Sequence, residues 1–278
     1  MSNKSLILID SSYTAFYRFF ATIRWFSFAF PEEYKELKNN TLYDWYENKV
    51  FLEKYEKMFL DSIVKLIKKK IFDSSTIIFC MDTPKEKLWR TEIDTNYKGD
   101  RIDMSLKNNF KPTFKYTFET MIPTFIKNNE NIHGMRIDSM EADDLIASIS
   151  MYLKDKNDFD TIYIVSGDAD FYQLGCDKIQ FVNYKHKKPF KLTTQEALLS
   201  LNTKLIMGDK SDGILSIFPK GARVKKDSLI NDNVLLEEYL SKNKDAKEQY
   251  DFNKKMIDFT NIPKKYYNKA TKQFISLF

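Results

Sequence analysis

The chain has 278 residues, 43% of them hydrophobic and 30% charged, enough for a substantial core in one large domain or two small ones. No apolar run nears membrane-spanning length, and the one in "MSNKSLILIDSS" is too short for a signal-peptide core, so neither a membrane nor a secreted protein is expected. Two cysteines, Cys80 and Cys176, both in apolar surroundings, exclude a disulfide framework. The expected setting is a reducing intracellular compartment, cytoplasm or nucleus, or an infected cell if the protein is virus-encoded. The balance of 44 Lys+Arg against 39 Asp+Glu leaves a net charge of +5, a weak pointer to an anionic partner. Abundant Lys and Asn would equally follow from AT-rich coding.

Strand-like and helix-like segments alternate through the first two thirds. "LILID" (6–10) suits a buried parallel strand. A long segment from about Thr14 to Lys70 follows, in which Met58, Phe59, Ile63, Leu66 and Ile67 form a helical stripe. "TIIFCMD" (76–82) is the second strand. Residues 84–120 are rich in Lys, Arg and aromatics and have poor periodicity. A helix over 117–128 leads to a short strand at "MRID" (135–138). In "SMEADDLIASIS" the residues Ala142, Leu145, Ile146, Ile149 and Leu153 share one helical face. "TIYIVSGDADF" (strand 161–166) and "IQFVNY" (179–184) add two strands, and from about Leu192 the pattern is helical to the end. Such alternation predicts an α/β fold, a mostly parallel central sheet covered by helices, with a helical C-terminal extension. The expected division is a catalytic core over 1–192 and the extension over 193–278, packed as one structural unit and acting as a monomer.

Acidic residues fall where these elements meet. Three predicted strands end in acids: Asp10, Asp82, and the pair Asp168 and Asp170. Strands of an open parallel sheet share one carboxyl edge, where ligands bind. A connecting helix starts near that edge, which brings Glu141, Asp143 and Asp144 towards it. Asp209 and Asp212 in "MGDKSDG" add a further pair. Acids in a first helical turn also favour the macrodipole, but that explains one helix start and leaves the strand ends unexplained. Two carboxylates about 5 Å apart repel by roughly 3 kcal/mol at an effective dielectric near 20. A cluster of this size therefore calls for cations. All candidate ligands are oxygen donors, and His133 and His186 lack zinc-type spacing, so two Mg²⁺ ions, replaceable by Mn²⁺, fit best. Such a pair clamps attacking and leaving oxygens in phosphodiester cleavage.

The cationic counterpart is "WRTEIDTNYKGDR" (89–101), which carries Arg90, Lys98 and Arg101. If helical, Lys98 and Arg101 share a face suited to a reacting phosphate, and Tyr97 could stack on a splayed base. A solvated surface helix is the other reading of this segment.

The ordered set "LILIDSS", "FCMD", "WRTEIDTNYKGDR", "MEADDLIA", "VSGDADFYQL" and "MGDKSDGI" resembles the flap-endonuclease-like 5′-nucleases, and "GDKSD" with "IDFTNIP" resembles their T-even phage ribonuclease H branch. The resemblance implies a PIN-like core with a helical arch or bridge over the site, within about 84–120. It implies a first metal held by Asp10, Asp82, Glu141 and Asp143, and a second near Asp168, Asp170, Asp209 and Asp212, with Asp144 between them. It gives Lys98 and Arg101 to the reacting phosphate diester. The family's helix–hairpin–helix is altered here to "ILSIFPKGARVKK", where Gly221 is kept and Pro219 intrudes. Duplex contact is therefore expected from Lys220, Arg223, Lys225 and Lys226.

The implied activity is 5′→3′ exonuclease and flap-endonuclease cleavage of DNA or RNA–DNA at 5′ flaps or nicks. Removal of RNA primers or flaps in replication or repair would follow, alongside a sliding clamp or single-strand-binding protein. A PIN-type endoribonuclease and a non-catalytic DNA-binding module are the alternatives. The acids Asp209 and Asp212 and the duplex-binding tail argue against the first, and the full acid set against the second. The aromatic segment 23–49 reads either as an amphipathic helical pair or as a wedge stacking on bent DNA.

Overall fold

The apolar runs form a wholly parallel sheet of β1 (Ser5–Asp10), β2 (Thr76–Cys80), β3 (Ile132–Met135), β4 (Thr161–Val165) and β5 (Ile179–Val182), ordered β3-β2-β1-β4-β5. This is a computed structural model, which describes residues 4–99, 109–186, 188–219, 221 and 226–278. Leading from β1 to β2 are α1 (Ser11–Ala29), α2 (Pro31–Leu37), α3 (Lys49–Ile67) and α4 (Lys69–Asp73). Between β2 and β3 lie α5 (Trp89–Ile93), α6 (Lys111–Tyr116) and α7 (Ile122–Asn128), and α8 (Ala142–Leu153) joins β3 to β4. After β5 come α9 (Thr194–Met207), α10 (Lys226–Asn231), α11 (Asn233–Lys242), α12 (Lys244–Ile257) and α13 (Lys264–Ile275). Among the described residues, no helix is long and apolar enough to cross a membrane.

Every residue of β1 is buried, because helices cover both faces of the sheet. Ile7, Ile9, Ile77 and Phe79 point to one face, where Phe19 of α1 and Phe51, Phe59 and Ile63 of α3 close the core. Leu6, Leu8, Ile78 and Ile164 point to the other and meet Leu145 and Ile149 of α8. Ala270 and Phe274 of α13 join that second layer, so the chain's last helix returns to the sheet. Pro123 explains a π-helical turn at Thr117–Met121 between α6 and α7: its missing N–H leaves the preceding turn without an ordinary donor.

Two expectations shift. The strand expected at 135–138 lies at Ile132–Met135 instead, since the exposed donors of β2 pair with that stretch even though His133 and Gly134 interrupt its apolar pattern. Within the aromatic segment 23–49, Phe26 and Trp45 are buried, their ring centroids 5.4 Å apart, while Phe28 is exposed. Those two rings are core, as the helical-pair reading has it, and are not available to a wedge.

Candidate active site

Because β2, β1 and β4 are neighbours, their carboxyl ends bring Asp10, Asp82 and Asp168 to one edge. Asp10 ends β1 and caps α1: its Oδ1 accepts from the Tyr13 N–H at 3.0 Å and its Oδ2 from the Ser166 hydroxyl at 2.9 Å. Asp82 accepts from the Ala142 N–H at 2.8 Å, tying the end of β2 to the start of α8. Asp168 caps the 3₁₀ turn Ala169–Leu174, accepting from the Asp170 N–H. Asp143 stands in the first turn of α8, partly buried.

The carboxyls feel both their burial and one another's charge. Burial and the neighbouring charge of Asp82 push the Asp10 carboxyl up to about 7, with Asp168 adding to the effect against the Tyr13 and Ser166 hydrogen bonds. Burial, Asp10 and Asp168 raise Asp143 well above the ordinary carboxylate range, against the opposing pull of Lys98. Burial beside Asp10, Asp82 and Asp143 raises the Cys80 thiol as well, which keeps it protonated and inert.

The remaining acids carry their own counter-ions, which corrects the expectation of one dense, uncompensated bowl. Asp144 is fully buried; its Oδ2 accepts from Trp89 Nε1 at 2.8 Å and from the Arg90 guanidinium at 3.0 Å, and a second guanidinium nitrogen lies 2.9 Å from Oδ1 in an ion pair. It is thus committed to an internal ion pair and not free for the metal shell assigned to it. Arg90 also bonds Glu141 at 2.9 Å and the Met256 carbonyl at 2.9 Å. At 3% exposure it cannot serve the nucleic-acid contact expected of it.

Tyr97 is likewise 3% exposed, its hydroxyl bonded to Glu141 and Asp212 at 3.0 Å each. The phenol is a strut between two acids, not a stacking surface. Lys98 forms an ion pair with Glu141 and approaches Asp212 at 3.8 Å. It sits at φ 57 in a turn, not on the helix that would have placed it beside Arg101. Burial pushes the Glu141 carboxyl up, but Lys98 and Arg90 outweigh that and leave it lowered.

On the far side of the site, Asp209 begins a tight turn that its backbone closes with Ile214, by reciprocal bonds of 2.9 Å and 2.8 Å. Gly208 permits the turn at φ 71; a Cβ there would lie 2.4 Å from the Ile214 carbonyl oxygen. Lys204 of α9 bridges Asp209, at 2.7 Å, and Asp170. Burial would raise Asp209, yet Lys204 and Ser211 hold it below its usual value.

Among the described residues, no three acidic, cysteine or histidine side chains stand close enough together to enclose a metal ion in this conformation. Arg90, Lys98 and Lys204 draw Glu141, Asp144, Asp170 and Asp209 towards themselves. The fit to a divalent cation is therefore best for Asp10, Asp82, Asp143 and Asp168. These are oxygen donors, two of whose carboxyls are raised by burial and by their neighbours' charge. Arg101, Lys220, Arg223 and Lys225 lie outside the described residues. Lys226 opens α10, with its ammonium 5.4 Å from the Phe218 ring centroid.

Sequence reasoning missed the structural roles of Arg90 and Tyr97 and overlooked Lys204 altogether. A single lysine in the last turn of a helix is what the macrodipole favours and carries no further signal.

Fold and site define an α/β protein with an acid-lined carboxyl edge. Residues 5–201 match the family model for the 5′-3′ exonuclease N-terminal resolvase-like domain, and the chain belongs to that family. It is a 5′-nuclease. A 5′-3′ exonuclease of Mycoplasmopsis pulmonis is 30% identical over 224 residues, covering 72% of this chain and 69% of that one. Ribonuclease H of Enterobacteria phage T4 is 28% identical over 177 residues, covering 62% of this chain and 56% of the phage protein. The D15 protein of phage T5, crystallised with metal ions, superposes with a TM-score of 0.61 at 16% identity, covering 99% of both chains.

Proposed function

We propose that the protein is a Mg²⁺-dependent 5′-nuclease. It would cleave phosphodiesters of DNA or RNA–DNA near single-strand/duplex junctions, removing 5′ flaps or RNA primers. The observation that carries this reading is the grouping of Asp10, Asp82, Asp143 and Asp168 at the sheet edge, with two of the carboxyls raised by burial and by their neighbours' charge. Support comes from the phage T5 relatives of the same fold, one crystallised with divalent zinc and one in complex with DNA and metal ions.

Asp10, Asp82, Glu141 and Asp143 would hold one ion, and Asp168, Asp170, Asp209 and Asp212 the other. When bound, the ions would supply an acidified water and Lewis-acid stabilisation of the phosphodiester. The chain's own groups then position and compensate. Tyr97 holds Glu141 and Asp212 at a fixed separation through one hydroxyl. Arg90 neutralises Asp144 and so anchors the start of α8, which carries Asp143. Lys98, paired with Glu141 and 3.8 Å from Asp212, would be the cation to meet a non-bridging phosphate oxygen.

The test is an end-labelled panel of 5′ flap, nicked duplex, RNA–DNA hybrid and single strand, with and without Mg²⁺, for the wild type and Asp143→Asn. Mg²⁺-dependent cleavage of flap and nick is expected, lost in the variant while DNA binding persists. Preferential cutting of unstructured RNA would indicate an endoribonuclease instead, and full activity in the variant would remove Asp143 from the site.

A further inference from the structure

Lys204 reaches from the last turn of α9 to two carboxylates carried by separate elements. Asp170 lies on the 3₁₀ turn after β4, and Asp209 opens the turn that follows α9. A lysine serving only the helix end would point to the terminal carbonyls or to solvent. This one is instead 22% exposed, and its acid partners are 18% and 13% exposed. Asp209 also accepts from the Ser211 N–H at 2.8 Å and the Ser211 hydroxyl at 2.6 Å, so one of its oxygens is held by the turn while the other faces the ammonium. Among the described residues, the hydrogen bonds of Asp10 and Asp82 come from neutral Tyr13, Ser166 and Ala142 donors. In the first half the charged partners, Lys98 and Arg90, fall on Glu141, whereas in the second a single ammonium, that of Lys204, spans two acids.

We propose that Lys204 is a resident counter-cation for the second half of the site, competing with a divalent ion for Asp170 and Asp209. This rests on the metal-dependent reading above. In the metal-free protein Lys204 holds Asp170 and Asp209 together and preserves the turn that Gly208 makes possible. A divalent ion entering that half must displace the ammonium from two acids at once, so that half fills second. Lys204 is on this view a positioning residue, acting through the two carboxylates.

Calorimetric titration of the protein with Mn²⁺, without nucleic acid, separates the possibilities. The wild type is expected to show a tighter and a weaker binding event. Lys204→Met removes the competitor, so the weaker event should tighten by roughly tenfold or more, a gain of about 1.4 kcal/mol. Lys204→Gln, which keeps hydrogen-bonding reach without charge, should tighten it as well, whereas Lys204→Arg should leave it near the wild-type value. In metal-free buffer Lys204→Met should melt lower than the wild type, and saturating Mn²⁺ should close most of that gap.

A purely structural lysine would lower the melting temperature by the same amount with and without Mn²⁺ and leave the affinities unchanged, which would overturn the proposal. A weaker second event in both Lys204→Met and Lys204→Gln would overturn it too. Absence of any Mn²⁺ binding in the wild type would defeat the underlying metal reading, a result distinct from the other two.

Discussion

Asp10→Asn removes one buried negative charge at little cost to local structure. The asparagine carbonyl can accept from the Tyr13 N–H as Asp10 does, and asparagine is as good an N-cap as aspartate. The Ser166 hydroxyl, which now donates to Asp10, can turn to accept from the new amide. In the folded protein the Asp10 carboxyl stands at about 7, against 3.8 for the free group. Between those values the folded state holds a proton that the unfolded chain has released, so stability falls as pH rises from about 4 to about 7 and stays low above. The shift from 3.8 to about 7 corresponds to a penalty on the order of 4 kcal/mol at neutral pH. It is shared with Asp82, Asp168 and Asp143, so the variant recovers part of it. In a chelator, Asp10→Asn should therefore be more stable than the wild type at about pH 8, by roughly 1–4 kcal/mol or about 2–8 °C in Tm, and the advantage should vanish near pH 4. Thermal melts followed by circular dichroism across that range measure the difference. A gap independent of pH, or a wild type that gains on the variant as pH rises, would refute the reasoning.

Two further substitutions test the compensated part of the site. Arg90→Met strips the guanidinium from Glu141 and Asp144, both buried, and should cost about 3–5 kcal/mol of stability in urea unfolding, far more than an exposed arginine. A cost below about 1 kcal/mol would mean the pair is not formed as described. Gly208→Ala forces a Cβ against the Ile214 carbonyl at a positive φ and should cost about 1–3 kcal/mol. It should also weaken Mn²⁺ binding by moving Asp209, which calorimetry would register, and an unchanged affinity would detach that turn from the metal site.

Much of this arrangement could be read before any coordinates. Apolar runs ending in aspartate place Asp10, Asp82 and Asp168 at strand ends, and helices between them impose parallel order, so convergence on one edge follows from topology. The acids opening α8 were legible for the same reason, as a helix entering that edge. What stayed hidden was the pairing. Arg90 and Asp144 are 54 positions apart, and Lys204 and Asp170 are 34 apart, so only the three-dimensional path brings them into contact. Tyr97 was misjudged because an aromatic beside Lys98 has the same local pattern whether it faces a base or fills a gap between two carboxylates. The third strand was misplaced because hydrogen-bond demand from β2, not apolar patterning, selects Ile132–Met135.

Anomalous diffraction from crystals grown with Mn²⁺ bears most directly on the claim that this sheet edge is a divalent-metal site. Two anomalous peaks are expected, one touching Asp10, Asp82 and Asp143 and the other near Asp168, with Lys204 withdrawn from Asp170 and Asp209. An edge without peaks, its acids still bonded to Arg90, Lys98 and Lys204, would contradict it.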